Sequence, residues 1–273
     1  MEIEELAYRA LLKEVELTPK PGLVDKINNG SHKDMDIETF YASSRAIKPF
    51  VGRFFDYGKK ALHVEPKLFF ENLRCMGREC EKEMFSATKG VNTHKGAIFS
   101  FAVICSCMGR VFAKDGCLEL SKLQDEIKDI CRGLVKKDLA QSELFETSGA
   151  KLYKETKMAG IRDEAEGGYR TVFQRSLPFY RKMKNFHGED KALKLTLLFI
   201  MSITTDSTLF ARGGVYGMEF VKEKSKELLE KVDILNLDSE LMEFDRVLIE
   251  KNLSAGGSAD LLCLTWFLSE VDL

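Results

Sequence analysis

Two segments decide what this chain can fold into. AIFSFAVICSCM at 97–108 and SADLLCLTWFL at 258–268 are apolar on nearly every face of a helix. A helix with no polar face has to be surrounded by protein, so the pair reads as the buried centre of a helical bundle. The rest of the chain supplies the surroundings. Leu6, Ala10, Leu11 and Val15 recur at helical spacing until Thr18, Pro19 and Pro21 end the first helix. Asp36 stands as the cap of a second, which carries Phe40, Ala46, Ile47, Phe50 and Phe54. Further helices are expected from near Pro66, Gly96, Leu118, Ser142, Asp190, Met218, Asp238 and Ser258. No stretch alternates apolar and polar residues as a half-buried strand does, and Asn29-Gly30 lies between polar residues as a loop turn. With no linker, fixed-period repeat or low-complexity tract, the expectation is one all-α domain over 1–273, its functional loops converging on one cleft.

Composition excludes several classes. The 273 residues carry a net charge of -2, which gives no general attraction to nucleic acid or anionic lipid. The N-terminal MEIEELAYRALLKE is charged and lacks the apolar core of a secretory signal, and the longest apolar runs fall short of a bilayer span. Seven cysteines, odd in number and without a Cys-x-x-Cys pair, read as reduced thiols in a cytoplasmic protein and not as a zinc site. No exposed apolar helix face stands out, so the oligomeric state stays open, a homo-oligomer included.

Function has to lie in the polar stretches set between helices. ELTPKPGLVDKINNGSHKDMD, residues 16–36, concentrates prolines, glycines and charged groups where binding residues gather on a scaffold. In it Asp34 and Asp36 are two apart, so an extended backbone turns both carboxylates to one side, where they could grip a hard cation such as magnesium. The alternative for Asp36 is a helix cap. Lys20, His32 and Lys33 add positive charge beside them. GVNTHKGA (90–97) leads into the central helix, whose first amides and partial positive charge suit phosphate; Asn92, His94 and Lys95 stand there, with capping as the plainer role for Asn92. GIRDEAEGGYRTVF holds Glu164 and Glu166, Asp206 precedes Arg212-Gly213-Gly214, and NLSAGGSADLL opens the last helix with Gly256, Gly257 and Ser258. HExxH, G-x-S-x-G, G-x-G-x-x-G and Walker A patterns are all missing.

The segments LTPKPGLVD, NNGSHKDMD, GVNTHKGAIFS, GIRDEAEGG, DSTLFARGG and NLSAGGSADLL, in this order from about residue 17 to 263, resemble the triphosphoribosyl-dephospho-coenzyme A synthases that serve citrate lyase and malonate decarboxylase. The chain departs from that pattern at Asp163, Gly167, Ala211 and Ala255, where the family more often has Gly, Ser, His or Tyr, and Pro. The resemblance implies an all-α pentosyltransferase. It would move the triphosphoribosyl part of ATP to the 2′-hydroxyl of 3′-dephospho-coenzyme A, release adenine, and hand its product to an acyl carrier protein transferase. Displacement at an anomeric carbon asks for a site that holds a polyanion, a proton for the leaving base and a base for the incoming hydroxyl. The residues divide accordingly: Lys20, His32, Lys33, Asn92, His94, Lys95, Arg212, Gly213, Gly256, Gly257 and Ser258 for ATP and its phosphates; Asp34 and Asp36 for magnesium; Glu164, Glu166 and Asp206 as catalytic carboxylates, with Glu164 or Glu166 the base. Competing readings are a nucleotide N-glycosidase or other ribosyltransferase, or a nucleotide-binding regulator without turnover.

Overall fold

The structure, a computed structural model, describes residues 2–140, 148–231 and 233–271. These form α-helices and one π-helical turn, with no strand among them. In chain order the helices are α1 Ile3–Glu16, α2 Ile37–Lys60, α3 Pro66–Ala87, α4 Lys95–Asp115, α5 Leu120–Ile130, α6 Leu134–Ala140, α7 Ser148–Thr156, α8 Ile161–Glu166, α9 Leu177–His187, α10 Glu189–Ile203, α11 Ser207–Lys231, α12 Leu237–Glu250 and α13 Gly256–Glu270; the π-helical turn is Thr171–Ser176.

The two apolar segments are α4 and α13, and they touch at the centre. Phe101 meets Phe267 edge to face at 5.3 Å between ring centroids. Trp266, Phe267 and Leu268 of α13 are at most 1% exposed, and α4 buries every side chain from Ser100 to Val111. One contiguous apolar cluster runs from Leu6 to Leu268. α2 lies along α4 at a separation that only glycines allow. A Cβ on Gly58 would sit 1.9 Å from the Ser106 carbonyl oxygen, and one on Gly109 would sit 2.1 Å from that of Phe55.

Local chemistry sets the ends. The Asp36 carboxylate accepts from the Thr39 amide at 2.8 Å while Thr39 Oγ1 turns back to the Asp36 amide, a reciprocal capping box that starts α2. Pro66 opens α3, and Gly116 in the left-handed region (φ 73°) closes α4. Several expectations need correction. A helix begins at Ser207, capped by Asp206, and holds Arg212 and Gly213; at Gly214 (φ 62°, ψ −161°) the backbone leaves helical geometry, so α11 is two helices joined at a kink, and the start expected near Met218 corresponds to the second of them. The stretch from Gly160 is α8 followed by the π-helical turn, and α6, α8 and α9 are helices the periodicity did not single out. The start expected near Ser142 lies outside the described residues. Apolar length was also a poor guide: α4, at 21 residues and a mean hydropathy of 1.7, is long and apolar enough to cross a bilayer. It is apolar because protein covers it, with 78% of that window buried. Its Arg110 is fully engaged, Nε on Glu126 Oε1 and Nη1 on the Ala61 and Val64 carbonyls.

Candidate active site

A cavity of about 820 Å³ opens where the starts of α4, α8, α11 and α13 come together. Its volume falls within the roughly 300–1,000 Å³ common to small-molecule sites. Asn92, Lys95, Gly96 and Phe99 line it from α4 and the turn before it, Lys157 to Glu164 from the α7–α8 connection and α8, Ile203 to Thr208 from the α10–α11 junction, and Gly257, Asp260 and Leu261 from α13. Glu81 of α3, Val135 of α6 and Ser148 and Gly149 of α7 complete the wall. Asp206 and Thr208 already take the first amides of α11 and α13, so an anion here relies on the start of α4 and on the basic side chains of the wall.

Of the sequence candidates, Asn92, Lys95, Glu164, Asp206 and Gly257 face this cavity. Asn92 Oδ1 accepts from the Lys95 amide at 3.3 Å, and Lys95 Nζ, with the side chain 45% exposed, lies 3.4 Å from Glu81 Oε2. Glu164 accepts from the Thr171 amide (3.2 Å) and from Thr171 Oγ1 (2.6 Å), so the first residue of the π-helical turn fixes its carboxylate. Burial raises the Glu164 carboxyl above the usual range, more than those two hydrogen bonds lower it.

Asp206 has another occupation. Oδ1 takes the Thr208 and Leu209 amides and Thr208 Oγ1; Oδ2 takes the Ser258 amide and Ser258 Oγ. One carboxylate thus caps α11 and ties it to the start of α13, five hydrogen bonds in all, which makes it a strong positioning group. Ser258, 0% exposed, is consumed in the same clasp, as is the Gly256 amide, which donates to Thr208 Oγ1 at 2.8 Å. Gly257 is needed for closeness: a Cβ there would stand 3.2 Å from the Asp206 carboxylate.

Glu166 does not face the cavity. It accepts from the Gly133 (3.0 Å) and Val135 (2.7 Å) amides and so caps α6 from a distance in sequence. Lys20 is 1% exposed; its Nζ pairs with Glu14 Oε1 and donates to the Glu14 carbonyl, a buried ion pair and no phosphate ligand. His94 is buried, with Nδ1 2.6 Å from Ser43 Oγ and its ring edge-on to Phe40. Burial, helped by the Lys20 charge, lowers it to about 3, so it is neutral and not a cation. Gly213 leaves room for Leu253 Cδ2, 2.6 Å from where a Cβ would be, and not for a ligand.

His32 and Arg212 lie outside the lining, in a cluster next to it. Arg212 Nη1 donates to the Ser31 carbonyl (2.8 Å) and Asn252 Oδ1 (2.8 Å), and Nη2 donates to His32 Nδ1 (3.1 Å). Burial first, then the Arg212 charge, lowers His32 to about 4. The ring is therefore neutral at pH 7, and because Nδ1 accepts, Nε2–H must donate to Ser254 Oγ at 2.8 Å. Its 3.8 Å approach to Asp34 is no ion pair. The cluster reaches the cavity through Ser254, whose carbonyl accepts from Thr208 Oγ1 at 3.0 Å.

The first loop is more structural than its composition suggests. Asp245 of α12 accepts from the Gly22 amide and Asn28 Nδ2, and Ser31 Oγ donates to the Leu248 and Leu253 carbonyls, which sews the loop to the far end of the chain. Lys33 and Asp34 are exposed outside the cavity, and Asp36 Oδ1 is committed to the α2 cap. The Asp34–Asp36 pair thus does not fit a magnesium site, and no group of three His, Cys, Asp or Glu side chains suited to a metal occurs among the described residues. Sequence reading attaches no role to Lys157 or Glu81 and takes Asp260 only as part of the opening of the last helix, yet all three line the cavity. For Asp260 there was a signal: it is the one carboxyl group in the otherwise apolar run from Ser258 to Leu268.

An all-α protein whose helix starts, lysines and carboxyl groups meet in one cavity is equipped to hold a phosphorylated substrate and move protons on it. The particular reaction follows from the comparison with known families. A model of the ATP:dephospho-CoA triphosphoribosyl transferase (CitG) family matches residues 1–273, and the chain belongs to that family. No solved structure matches it.

Proposed function

We propose that this cavity is where the triphosphoribosyl group leaves adenine and meets the acceptor. The carrying observation is the joint presence, on its wall, of Lys95 at the start of α4 and the buried carboxylate of Glu164 fixed by Thr171. The protein is a pentosyltransferase acting on ATP and dephospho-CoA. Its transition state gathers positive charge at the anomeric carbon, and a fixed carboxylate with a raised affinity for protons is suited both to steady that charge and to take the proton of the incoming 2′-hydroxyl. Glu164 has that environment. Lys95 at the start of α4 holds phosphate, and His32 and Arg212 meet phosphate that extends past Thr208. Asp206 acts through position, by fixing Thr208 and Gly257 on the wall.

Among the described lining residues three cations, Lys95, Lys157 and Arg162, stand against five acidic residues, Glu81, Asp163, Glu164, Asp206 and Asp260. A bare triphosphate would meet an excess of negative charge there, so ATP enters as its magnesium complex, with the ion part of the substrate. The product serves an acyl carrier protein through a separate transferase. With seven free thiols, five of them buried, the protein is assigned to a reducing cytoplasm.

The test is direct. The protein is incubated with ATP, magnesium and dephospho-CoA, and free adenine and the enlarged coenzyme are separated by chromatography. Stoichiometric appearance of both is expected. Adenine without a coupled product would overturn the reading in favour of a nucleosidase.

A further inference from the structure

The floor of the cavity holds one carboxyl group that no side chain engages. Asp260 projects from the first turn of α13 toward the start of α4, where a Cβ on Gly96 would lie 2.0 Å from its Oδ2. Gly96 thus leaves the space that the carboxyl fills. Glu164 is held by Thr171 and Asp206 by five hydrogen bonds, whereas among the described residues no side chain donates to Asp260. The groups that face it are few. Glu14 approaches from α1 and Asp206 from the α10–α11 junction, both carboxylates; α4 offers the Ala97 amide; Cys263 follows on its own helix. The Lys20 charge behind Glu14 is already paired.

We propose that Asp260 is the proton donor to the departing adenine. The inference rests on the triphosphoribosyl-transfer reading and gives that reaction its missing acid. Adenine is a poor leaving group as an anion. In the balanced step the bond from the anomeric carbon to the base breaks and its electron pair stays with the purine, while the Asp260 proton goes to a purine ring nitrogen and adenine leaves neutral. The acceptor 2′-oxygen forms the new bond to the same carbon and gives its proton to Glu164. Solvent then carries that proton from Glu164 back to Asp260, and both carboxyls regain their starting states. Burial, reinforced by the negative charges of Glu14 and Asp206, keeps the Asp260 carboxyl protonated far above the ordinary range, and the Ala97 amide opposes this only weakly. Glu164, raised by burial but relieved by Thr171, is the one to ionise first. Two carboxyls whose surroundings separate their proton affinities are the usual means of placing an acid and a base in one site.

The experiment compares Asp260→Asn with the wild type. Asparagine keeps the shape and removes the proton. The expected result is a kcat for adenine release lower by about a hundred- to ten-thousandfold, ATP affinity by calorimetry within about threefold, and loss of the alkaline limb of the pH–rate profile in the residual activity. A kcat within about threefold of wild type, or a slow variant that retains the alkaline limb, overturns the assignment. If D260N does not fold, the wild-type protein still tests it: a hydrophobic carbodiimide at pH 7.5 should label Asp260, found by peptide mapping, and ATP should protect it. An unlabelled Asp260 overturns the proposal. Failure of the wild type to release adenine with both substrates present would instead defeat the functional reading underneath.

Discussion

Glu164 and Glu166 are two residues apart and do different work, because an α-helix turns them to different sides. Glu164 looks into the cavity with Thr171 behind it; Glu166 holds the Gly133 and Val135 amides at the start of α6. Glu164→Gln should lower kcat by about a hundred- to ten-thousandfold with ATP binding nearly unchanged. Glu166→Gln should leave kcat within a fewfold and cost about 1 kcal/mol of stability, seen as a fall in Tm of about 2–4 °C. Steady-state kinetics and thermal unfolding on the two variants separate the roles. The buried His94 has a consequence in acid. Its folded-state value of about 3 lies below the 6.5 of the unfolded chain, so between those pH values the unfolded state binds the proton and the folded state does not. Stability is full above pH 6.5 and is lost as pH falls. The loss from this one group is roughly 3 kcal/mol by pH 4. The raised carboxyls Glu164 and Asp260 act in the opposite sense, so the comparison has to be with a variant. His94→Asn, measured by urea unfolding at pH 7 and pH 4, should lose less stability between the two than the wild type; equal losses would disprove it.

Between elements the decisive contact is that of α2 with α4 at Gly58 and Gly109. Gly109→Ala would drive a methyl group into the Phe55 carbonyl, a backbone atom that cannot swing aside, and should destabilise by about 1–3 kcal/mol. Gly77→Ala on α3 is the control: nothing lies within 4 Å of its missing Cβ, and alanine should stabilise that helix by about 0.4–1 kcal/mol. Thermal unfolding of the pair, with opposite signs, checks both. Much of this level was legible in sequence. Unbroken apolarity marked α4 and α13, and Asp36 marked the start of α2, because burial and capping leave local traces. The start of α11 at Ser207 was not legible, because it depends on the tertiary clasp from Asp206 to Ser258; Arg-Gly-Gly does mark a break, at Gly214, where the helix kinks. For the same reason composition misread the first loop. Lys20 and Asp25 look available, yet Lys20 is used by Glu14 and Asp25 by the Lys20, Ile27 and Asn28 amides. Which polar groups remain free for substrate depends on partners remote in the chain.

At the scale of the molecule, the cavity has to manage water. A sugar carbon with cationic character is captured by the nearest nucleophile, and a cavity of about 820 Å³ with a partly exposed Lys95 on its wall has room for water, so transfer without hydrolysis requires that the bond to adenine stay intact until the acceptor is bound. Adenine release from ATP alone should therefore be slow and should rise sharply when dephospho-CoA is added; equal rates with and without the acceptor, by chromatography, would show that water competes freely. The stitching of residues 22–31 to Asp245, Leu248 and Leu253 carries a further implication for how the protein is made. A ribosome finishes the first loop more than two hundred codons before the surface it leans on exists, and Gly96 also precedes Asp260 by a long stretch of chain. A nascent chain thus holds its polar turn, and the side of α4 that α2 does not cover, unsheltered until the closing helix emerges, and a product stopped before that helix lacks a floor to its pocket.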